Sequence, residues 1–442
     1  MALSYGILPY FNMLAGKQMT LGVLASPQFL GAAVALLILV GLLAGSYPAF
    51  YMTSFSAVEV LKGKIRAGVK SKGIRSSLVV FQFAVSTFLI IATVIVFQQL
   101  DYMQAKNLGM DKQNVISITG ARRLGTNAGA FKTQVMNIPG VKVASYTTNS
   151  FPGINNTNLF REKNKEVDHL CGSYSADWDH LGALKLEIKE GRYFSRENAA
   201  DSLSALVNES AIREFGFTDD PMSHELTDFS SDKPVNVRII GVIKDFNFES
   251  VKDKIRPLIV RLSETGRELT VRYEGDPRPV VAELEKQWKQ MAPGEPFEFS
   301  FLDQEYDNLF RAEVRLRDIF TVFSLLAIVI ASLGLFALAA FTTEQRTKEI
   351  GVRKAMGASV LSLTFLLSKE FTRLVLIAII PAIAGGWYVS NWWLSSFSYR
   401  ITVTPFVFLG CGLAAIVIAW LTVSYQAIRA ASVEPVKSLR YE

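Results

Sequence analysis

Residues 76–100 read SSLVVFQFAVSTFLIIATVIVFQQL, without one Asp, Glu, Lys or Arg. A helix needs about 20 mostly apolar residues to cross the hydrocarbon core of a bilayer. Each charge near its middle would cost roughly 2.5–3.5 kcal/mol on insertion scales. The same absence of charge recurs at 319–343, 374–399 and 401–428, and over the longer run 18–58. These runs account for the composition of the 442 residues, of which 50% are hydrophobic and only 19% charged. Mean hydropathy is +0.25, whereas a soluble domain carries about a quarter charged residues. The reading is an integral membrane protein, which excludes a soluble enzyme for the chain as a whole.

The stretch 101–318 is different in kind, holding 34 of the 40 acidic residues, 29 of the 46 basic ones and all three histidines. Alternating apolar runs predict strands at Val115–Thr119, Val141–Thr147, Val235–Ile243, Leu258–Leu262 and Leu269–Tyr273. Helical spacing predicts helices at Ala130–Ile138, Glu209–Phe215 and Pro279–Met291. The expected architecture is a membrane α-helical bundle with an inserted α+β extracytoplasmic domain. Its side follows from Lys and Arg in the short loops, which accumulate on the cytoplasmic face. Lys62, Lys64, Arg66, Lys70, Lys72 and Arg75 follow the first span; Arg346, Lys348, Arg353, Lys354, Lys369 and Arg373 follow the third. Arg429, Lys437 and Arg440 lie in the tail, while the opposite short loops hold only Lys17 and Arg400. The overall charge of +6 is therefore a topology signal. It forms no basic face with interleaved aromatics, so nucleic acid is excluded as a partner.

Cys171 and Cys411 fall in different regions and imply no internal disulfide. Met1–Ala15 has neither a basic start nor a small-residue cleavage site, and reads as the end of another span. Ser46–Lys62 also aligns without gaps on Ser424–Arg440, matching Ser-Tyr, Ala, Val and Leu and ending on a base each time. Two similar halves about a pseudo-symmetry axis are implied, with the chain a fragment of a longer two-half permease. The expected division is a first-half remnant at 1–75, with a full span at 29–53, then a transmembrane helix at 76–100. An extracytoplasmic domain occupies 101–315, and a membrane domain 316–442 has spans at 316–341, 371–394 and 405–428.

Catalytic and metal signatures are missing from this sequence. It has no phosphate-cradling G-x-x-x-x-G-K-[ST], no H-E-x-x-H and no G-x-S-x-G. His169, Cys171, Asp179 and His180 fit no standard zinc spacing. No catalytic residue, bound cofactor or metal is assigned, and an active site within 101–318 has no assembled constellation to support it. Absence of charge at mid-depth also argues against an ion-coupled transporter. Gly334, Pro381, Gly385 and Gly386 read as close-packing or kink positions. Trp387, Trp392, Trp393 and Tyr399 read as an interfacial aromatic belt.

The informative polar segment is Thr342-Thr-Glu-Gln-Arg-Thr-Lys-Glu-Ile-Gly-Val-Arg-Lys-Ala-Met-Gly-Ala-Ser359. Glu344/Lys348 and Glu349/Arg353 are acid-before-base pairs at i,i+4, which favour a helix. Ile350, Val352, Ala355 and Met356 form a partial apolar face, and Gly357 is a natural stop. Read alone, this is an amphipathic helix at a membrane surface.

That run, with Ser332-Leu-Gly-Leu-Phe before it and Glu434-Pro-Val-Lys-Ser-Leu-Arg-Tyr-Glu442 at the tail, resembles the MacB/FtsX-like permease family of ABC transporters. The outer region is similar to its periplasmic core domain at Gly191-Arg-Tyr-Phe, Val207-Asn-Glu-Ser-Ala and Ile240-Gly-Val-Ile-Lys-Asp-Phe. The resemblance implies a permease subunit in the bacterial inner (plasma) membrane. It would not be an enzyme itself, with ATP and Mg bound and hydrolysed on a partner ABC ATPase subunit. Residues 344–357 would be the coupling helix, with Glu344, Arg346, Lys348, Glu349, Ile350, Gly351, Arg353, Lys354, Met356 and Gly357 meeting that subunit. Asp101–Leu108 and Tyr306–Arg317 would continue two spans outward as stalks. A second permease half or second copy would complete the assembly, and an extracytoplasmic or outer-membrane partner is compatible with it. Export or extraction of an amphiphilic substrate is the expected work. The alternative is an FtsX-like scaffold regulating an extracytoplasmic cell-wall hydrolase.

Overall fold

The computed structural model describes residues 2–20, 22, 26–53, 68–154, 156–231 and 233–432. Lys62, Lys64 and Arg66, the tail from 433 with Lys437 and Arg440, and the second parts of both repeat copies lie outside the described residues. The chain divides into two compact units. One comprises 1–98, 312–393 and 402–442, and the other 99–311 with 394–401.

The first unit is helical. Among the described residues four helices are long and apolar enough to cross a membrane: Arg75–Ala105 (within Gly68–Ala105), Arg311–Gln345, Ser362–Leu394 (within Val360–Leu394) and Pro405–Gln426 (within Pro405–Ser432). Helix Pro27–Thr53 is apolar all round, exposing Leu36, Leu37, Ile38 and Leu39 in succession. Between the four helices lies a core of Val79, Phe83, Leu335, Phe371, Val375 and Val423 interleaved with Ala331, Ala339, Ala378, Ala415 and Ala419. The alanines matter because lipid is as apolar as leucine, so helices associate by close backbone approach. Gly386 serves the same end, since a Cβ there would lie 2.9 Å from Ile91 Cγ2. At Gly334 a Cβ would collide with the Gln82 carboxamide. The predicted close-packing role of these glycines holds, and Pro381 sits inside an unbroken helix. Across the bundle, the Thr93 and Ser324 hydroxyls pair at 2.8 Å.

The second unit is an eleven-stranded sheet with short helices. Its strands are β1 (Val115–Thr119), β2 (Val141–Thr147), β3 (Thr157–Glu162), β4 (Asp168–Ala176), β5 (Ile188–Gly191), β6 (Ser204–Asn208), β7 (Glu225–Asp228), β8 (Val235–Ile243), β9 (Leu258–Leu262), β10 (Glu268–Tyr273) and β11 (Glu298–Phe301). One lobe is the antiparallel set β11-β1-β10-β2. Helices Ala128–Met136 and Pro277–Met291 cover it, the latter presenting Val280, Leu284 and Trp288 at i, i+4, i+8. Trp288 meets Phe131 edge-on, centroids 5.7 Å apart. The other lobe runs β4-β3-β7-β8-β6-β9 and closes on itself, because β9 pairs in parallel with β4 from Gly172↔Leu258 to Ala176↔Leu262. Closure removes free edges around a core that includes Phe160, Cys171, Val207, Phe215 and Ile239. Segment 394–401, which joins the last two long helices, is built into this unit. Gln99 donates to the Tyr399 carbonyl (2.8 Å) and accepts from Ile401 N–H (2.9 Å), and Ser398 N–H reaches the Lys252 carbonyl (2.8 Å).

The three outer stretches that carried the resemblance have structural work. Gly191, with φ 77°, ends β5 against the backbone of Gly241 in β8, where a Cβ would lie 2.7 Å from the Gly241 Cα. Asn208 caps helix Glu209–Phe215 by accepting from Ala211 N–H and also from Leu258 N–H, each at 2.9 Å. Asp245 accepts from Ser210 N–H and Oγ–H, both at 2.9 Å, and from Arg213 at 2.6 Å.

Two expectations need correction. The helix that begins at Gly68 stops at Ala105 rather than Leu108. The second stalk is not continuous, because helix Leu302–Asn308 ends in a turn before Arg311–Gln345 begins. Tyr306 is buried there, donating to the Asn247 carbonyl at 2.9 Å; it belongs to the sheet domain's core and not to a rod.

One buried acid sets a pH response. Glu268 opens β10 at 3% exposure, and its Oε2 has no partner. Burial, opposed in part by a Ser150 hydrogen bond and reinforced by Glu305, raises its pKa from 4.5 to about 7. Below 4.5 the group is protonated whether the chain is folded or not. Between 4.5 and 7 the unfolded chain has released the proton that the folded chain keeps, so stability falls as pH rises, then levels off. Glu268→Gln should match wild type at pH 4 and exceed it above pH 7, by up to about 3 kcal/mol at 1.36 kcal/mol per unit. Denaturation of the full chain in detergent at both pH values checks this, and a pH-independent difference would refute it. Burial drives His180 the other way, to about 3, but that slope is common to both proteins and cancels.

Candidate functional site

The segment 344–357 emerges at the end of a long helix and breaks from it. Helix Arg311–Gln345 stops, Arg346 leaves helical geometry, and a separate helix Thr347–Ala355 follows. It is shorter than the 344–357 anticipated because Arg346 forms the hinge. Its C-terminus is stopped at Gly357, whose φ of 91° suits glycine. Ala358 N–H bonds back to the Arg353 carbonyl and Gly357 N–H to Lys354, both at 3.0 Å, satisfying carbonyls that a helix end leaves open. Ser359 then accepts from Ser362 N–H at 3.2 Å through its hydroxyl, starting the next long helix.

The sequence-predicted residues separate into two sets. Ile350 turns inward at 8% exposure and packs with Leu363 and Ala358. Gly351 is also buried. Arg346 pairs with Glu370 at 2.9 Å, tying the hinge to the following helix. These residues hold the short helix in place. Met356 (77% exposed) and Val352 (47%) point away from the chain, and Glu349 and Arg353 pair beside them at 2.9 Å as the i,i+4 spacing required. Glu344 and Gly357 are exposed and Lys354 half-buried. The side chain of Lys348, and so the Glu344/Lys348 pairing, lies outside the described residues. Reading the sequence missed Glu370 and Leu363. The available signal was that Glu370 is the sole acid between Gly351 and the end of the next span.

The residues once weighed as metal ligands are apart in role. His169 faces Glu214 at 3.2 Å and His180 faces the Tyr174 hydroxyl at 3.0 Å. Burial lifts the Cys171 thiol to about 12, and Asp179 takes Lys132 and Arg196. Among the described residues no group of three or more His, Cys, Asp or Glu is assembled to hold a metal.

Long apolar helices around an alanine-rich seam, an amphipathic helix at one helix end and an inserted sheet domain are the arrangement expected of a multi-span membrane protein. Residues 321–435 match the family described as FtsX-like permease C-terminal. Over 299 residues, 61% of this chain and 70% of the other, the sequence is 23% identical to the uncharacterized ABC transporter permease YvrN of Bacillus subtilis (strain 168). The periplasmic region of MacB from Actinobacillus actinomycetemcomitans is covered to 98% by 47% of this chain, at 12% identity and a TM-score of 0.35. The extracellular domain of the noncanonic ABC-type transporter YknZ from Gram-positive bacteria is covered to 98% by 42% of the chain, at 12% identity and a TM-score of 0.30. Over these residues the chain is similar to FtsX-like ABC transporter permeases, the likeness that the motif at 344–358 implied.

The division between holding and outward residues can be measured. Ile350→Ala removes a buried side chain at a cost of about 2 kcal/mol or more, and should speed amide exchange across 347–355 by at least tenfold. Met356→Ala changes an exposed side chain and should leave exchange within about threefold of wild type, as exposed substitutions stay within roughly 0.5 kcal/mol. Equal effects from the two would remove the distinction.

Proposed function

We propose that this chain is the membrane subunit of an ABC transporter and that helix Thr347–Ala355 docks on a separate ATPase subunit. The observation that carries the reading is the outward pair Val352 and Met356 on a helix whose opposite side is pinned by Ile350 and by Arg346–Glu370. Exposed apolar anchors ringed by charge suit a protein contact, and a pinned helix passes on a push instead of absorbing it. Gly351, Lys348 and Lys354 belong to the same element, with Glu349 and Arg353 setting orientation. ATP and Mg act on the partner, and the motion passes through the long helices to the outer sheet domain. Charge-free spans suit such a device, since it need not conduct a polar solute through the bilayer. Export or extraction of an amphiphilic substrate is the transport class this favours.

Met356→Asp and Val352→Asp place a carboxylate where the contact would be desolvated, at a cost of several kcal/mol if unpartnered. Both should abolish co-purification of the ATPase subunit and its stimulated hydrolysis, while membrane insertion persists. If both variants keep wild-type binding and hydrolysis, the docking role is wrong and the helix is a surface amphipath.

Orientation is proposed from the basic loops, with 101–318 outside and the Thr347–Ala355 helix in the cytoplasm. In a Cys171→Ala/Cys411→Ala background, an impermeant thiol reagent should label Glu197→Cys in intact cells. Gly73→Cys should react only after permeabilisation; labelling of Gly73→Cys from outside would reverse the topology.

A further inference from the structure

We infer that the membrane domain carries a binding site for one anionic phospholipid beside the coupling helix. A cavity of about 520 Å³ opens between helices Val360–Leu394 and Pro405–Ser432. Phe365, Leu366, Leu376 and Trp420 supply its apolar walls, and Lys369 and Arg373 stand over it one helical turn apart. Arg373 immediately precedes the charge-free run 374–399, so the two cations lie where the span leaves the hydrocarbon, at headgroup depth. Leu376 and Trp420 continue the cavity toward the apolar side.

Charge selects the occupant. Glu370 also lines the cavity but is committed to Arg346 at 2.9 Å. Lys369 and Arg373 are exposed, and neither makes an ion pair or hydrogen bond among the described residues. The pocket therefore presents two uncompensated positive charges above an apolar slot. An anionic phospholipid matches both parts, with its phosphate and net negative headgroup at the cations and an acyl chain along Leu376 and Trp420. A zwitterionic lipid would bring its own ammonium against Lys369 and Arg373, and free phosphate would leave the apolar slot unfilled. The Trp420 indole N–H is already bonded to the Thr372 hydroxyl at 2.8 Å, which fixes the ring as a wall of the slot. The inference needs the bundle to lie in a membrane; it does not need the docking of the short helix, and it holds for either orientation.

The site has a spectroscopic handle. The full chain is reconstituted in nanodiscs over a series of mole fractions of brominated phosphatidylglycerol in phosphatidylcholine, or of brominated phosphatidylcholine in the same background. Subtracting the emission of Trp420→Phe isolates the Trp420 signal. Trp420 should be quenched by brominated phosphatidylglycerol at a mole fraction roughly ten- to thirtyfold lower than by the phosphatidylcholine, given about 1 kcal/mol per basic residue near the surface. Lys369→Gln/Arg373→Gln should erase that preference, and Lys369→Arg/Arg373→Lys should retain it. Lys70→Gln/Lys72→Gln, which removes an equal charge elsewhere, should leave it intact. Equal quenching by both lipids overturns the site, as does an unchanged preference in the Gln pair or its equal loss in the Lys70/Lys72 control. No quenching by either lipid would mean that a protein segment, such as a second copy, fills the slot.

Discussion

A bilayer offers no hydrogen-bond partners, and this constraint orders everything else in the chain. Backbone that crosses it must satisfy its own amides, so the crossing parts are unbroken helices and every irregular element lies outside them. Several polar side chains within the bundle bond a carbonyl on their own helix or a hydroxyl on the next. The Thr342 hydroxyl bonds the Leu338 carbonyl and the Thr93 hydroxyl bonds both Leu89 and Ser324. With no hydrophobic drive between helices in lipid, the seam depends on alanine and glycine bringing backbones together. Ala378, Ala415 and Ala419 therefore matter to this bundle in the way that leucine matters to a soluble core.

The same constraint explains why the helix ends are elaborate. Where helix Arg311–Gln345 reaches water its direction has to be fixed by something other than lipid, and the chain uses a hinge, a salt bridge and one buried isoleucine. The Arg346–Glu370 pair is two-thirds withdrawn from solvent on each side, enough to matter more than a fully exposed pair, which contributes about 0–1 kcal/mol. Ile350 contributes more, because its burial against Leu363 removes apolar surface from water at a place where lipid cannot do so.

Sequence reading recovered what period and charge can encode. The long helices follow from charge-free runs, and five strands and three helices of the outer domain fall within two or three residues of their predicted bounds. Two of the strands it missed have no alternation to see. Asp168-His-Leu-Cys-Gly-Ser-Tyr-Ser-Ala176 is polar and small, and becomes β4 because β3 and β9 pair with it. Ser204–Asn208 is buried at every position, so no polar face marked it. In the segment 344–357 the composition was legible but the facing was not. Ile350 and Met356 look equivalent as apolar residues on one helix, and only the position of Leu363, thirteen residues on, decides which of them is spent on the chain's own packing.

The outer domain shows how tertiary closure substitutes for local pattern. A six-strand ring closed by a parallel β4–β9 pair has no edge through which it could shear open one hydrogen bond at a time. Its seams are then reinforced by side chains that each satisfy several backbone groups: Asn208 joins a helix start to β9, and Asp245 joins the same helix to the end of β8. Segment 394–401 is tied into this unit by Gln99 at both faces of its carboxamide. The chain therefore enters the unit through one long helix and re-enters it between two others, with a paired amide at the junction.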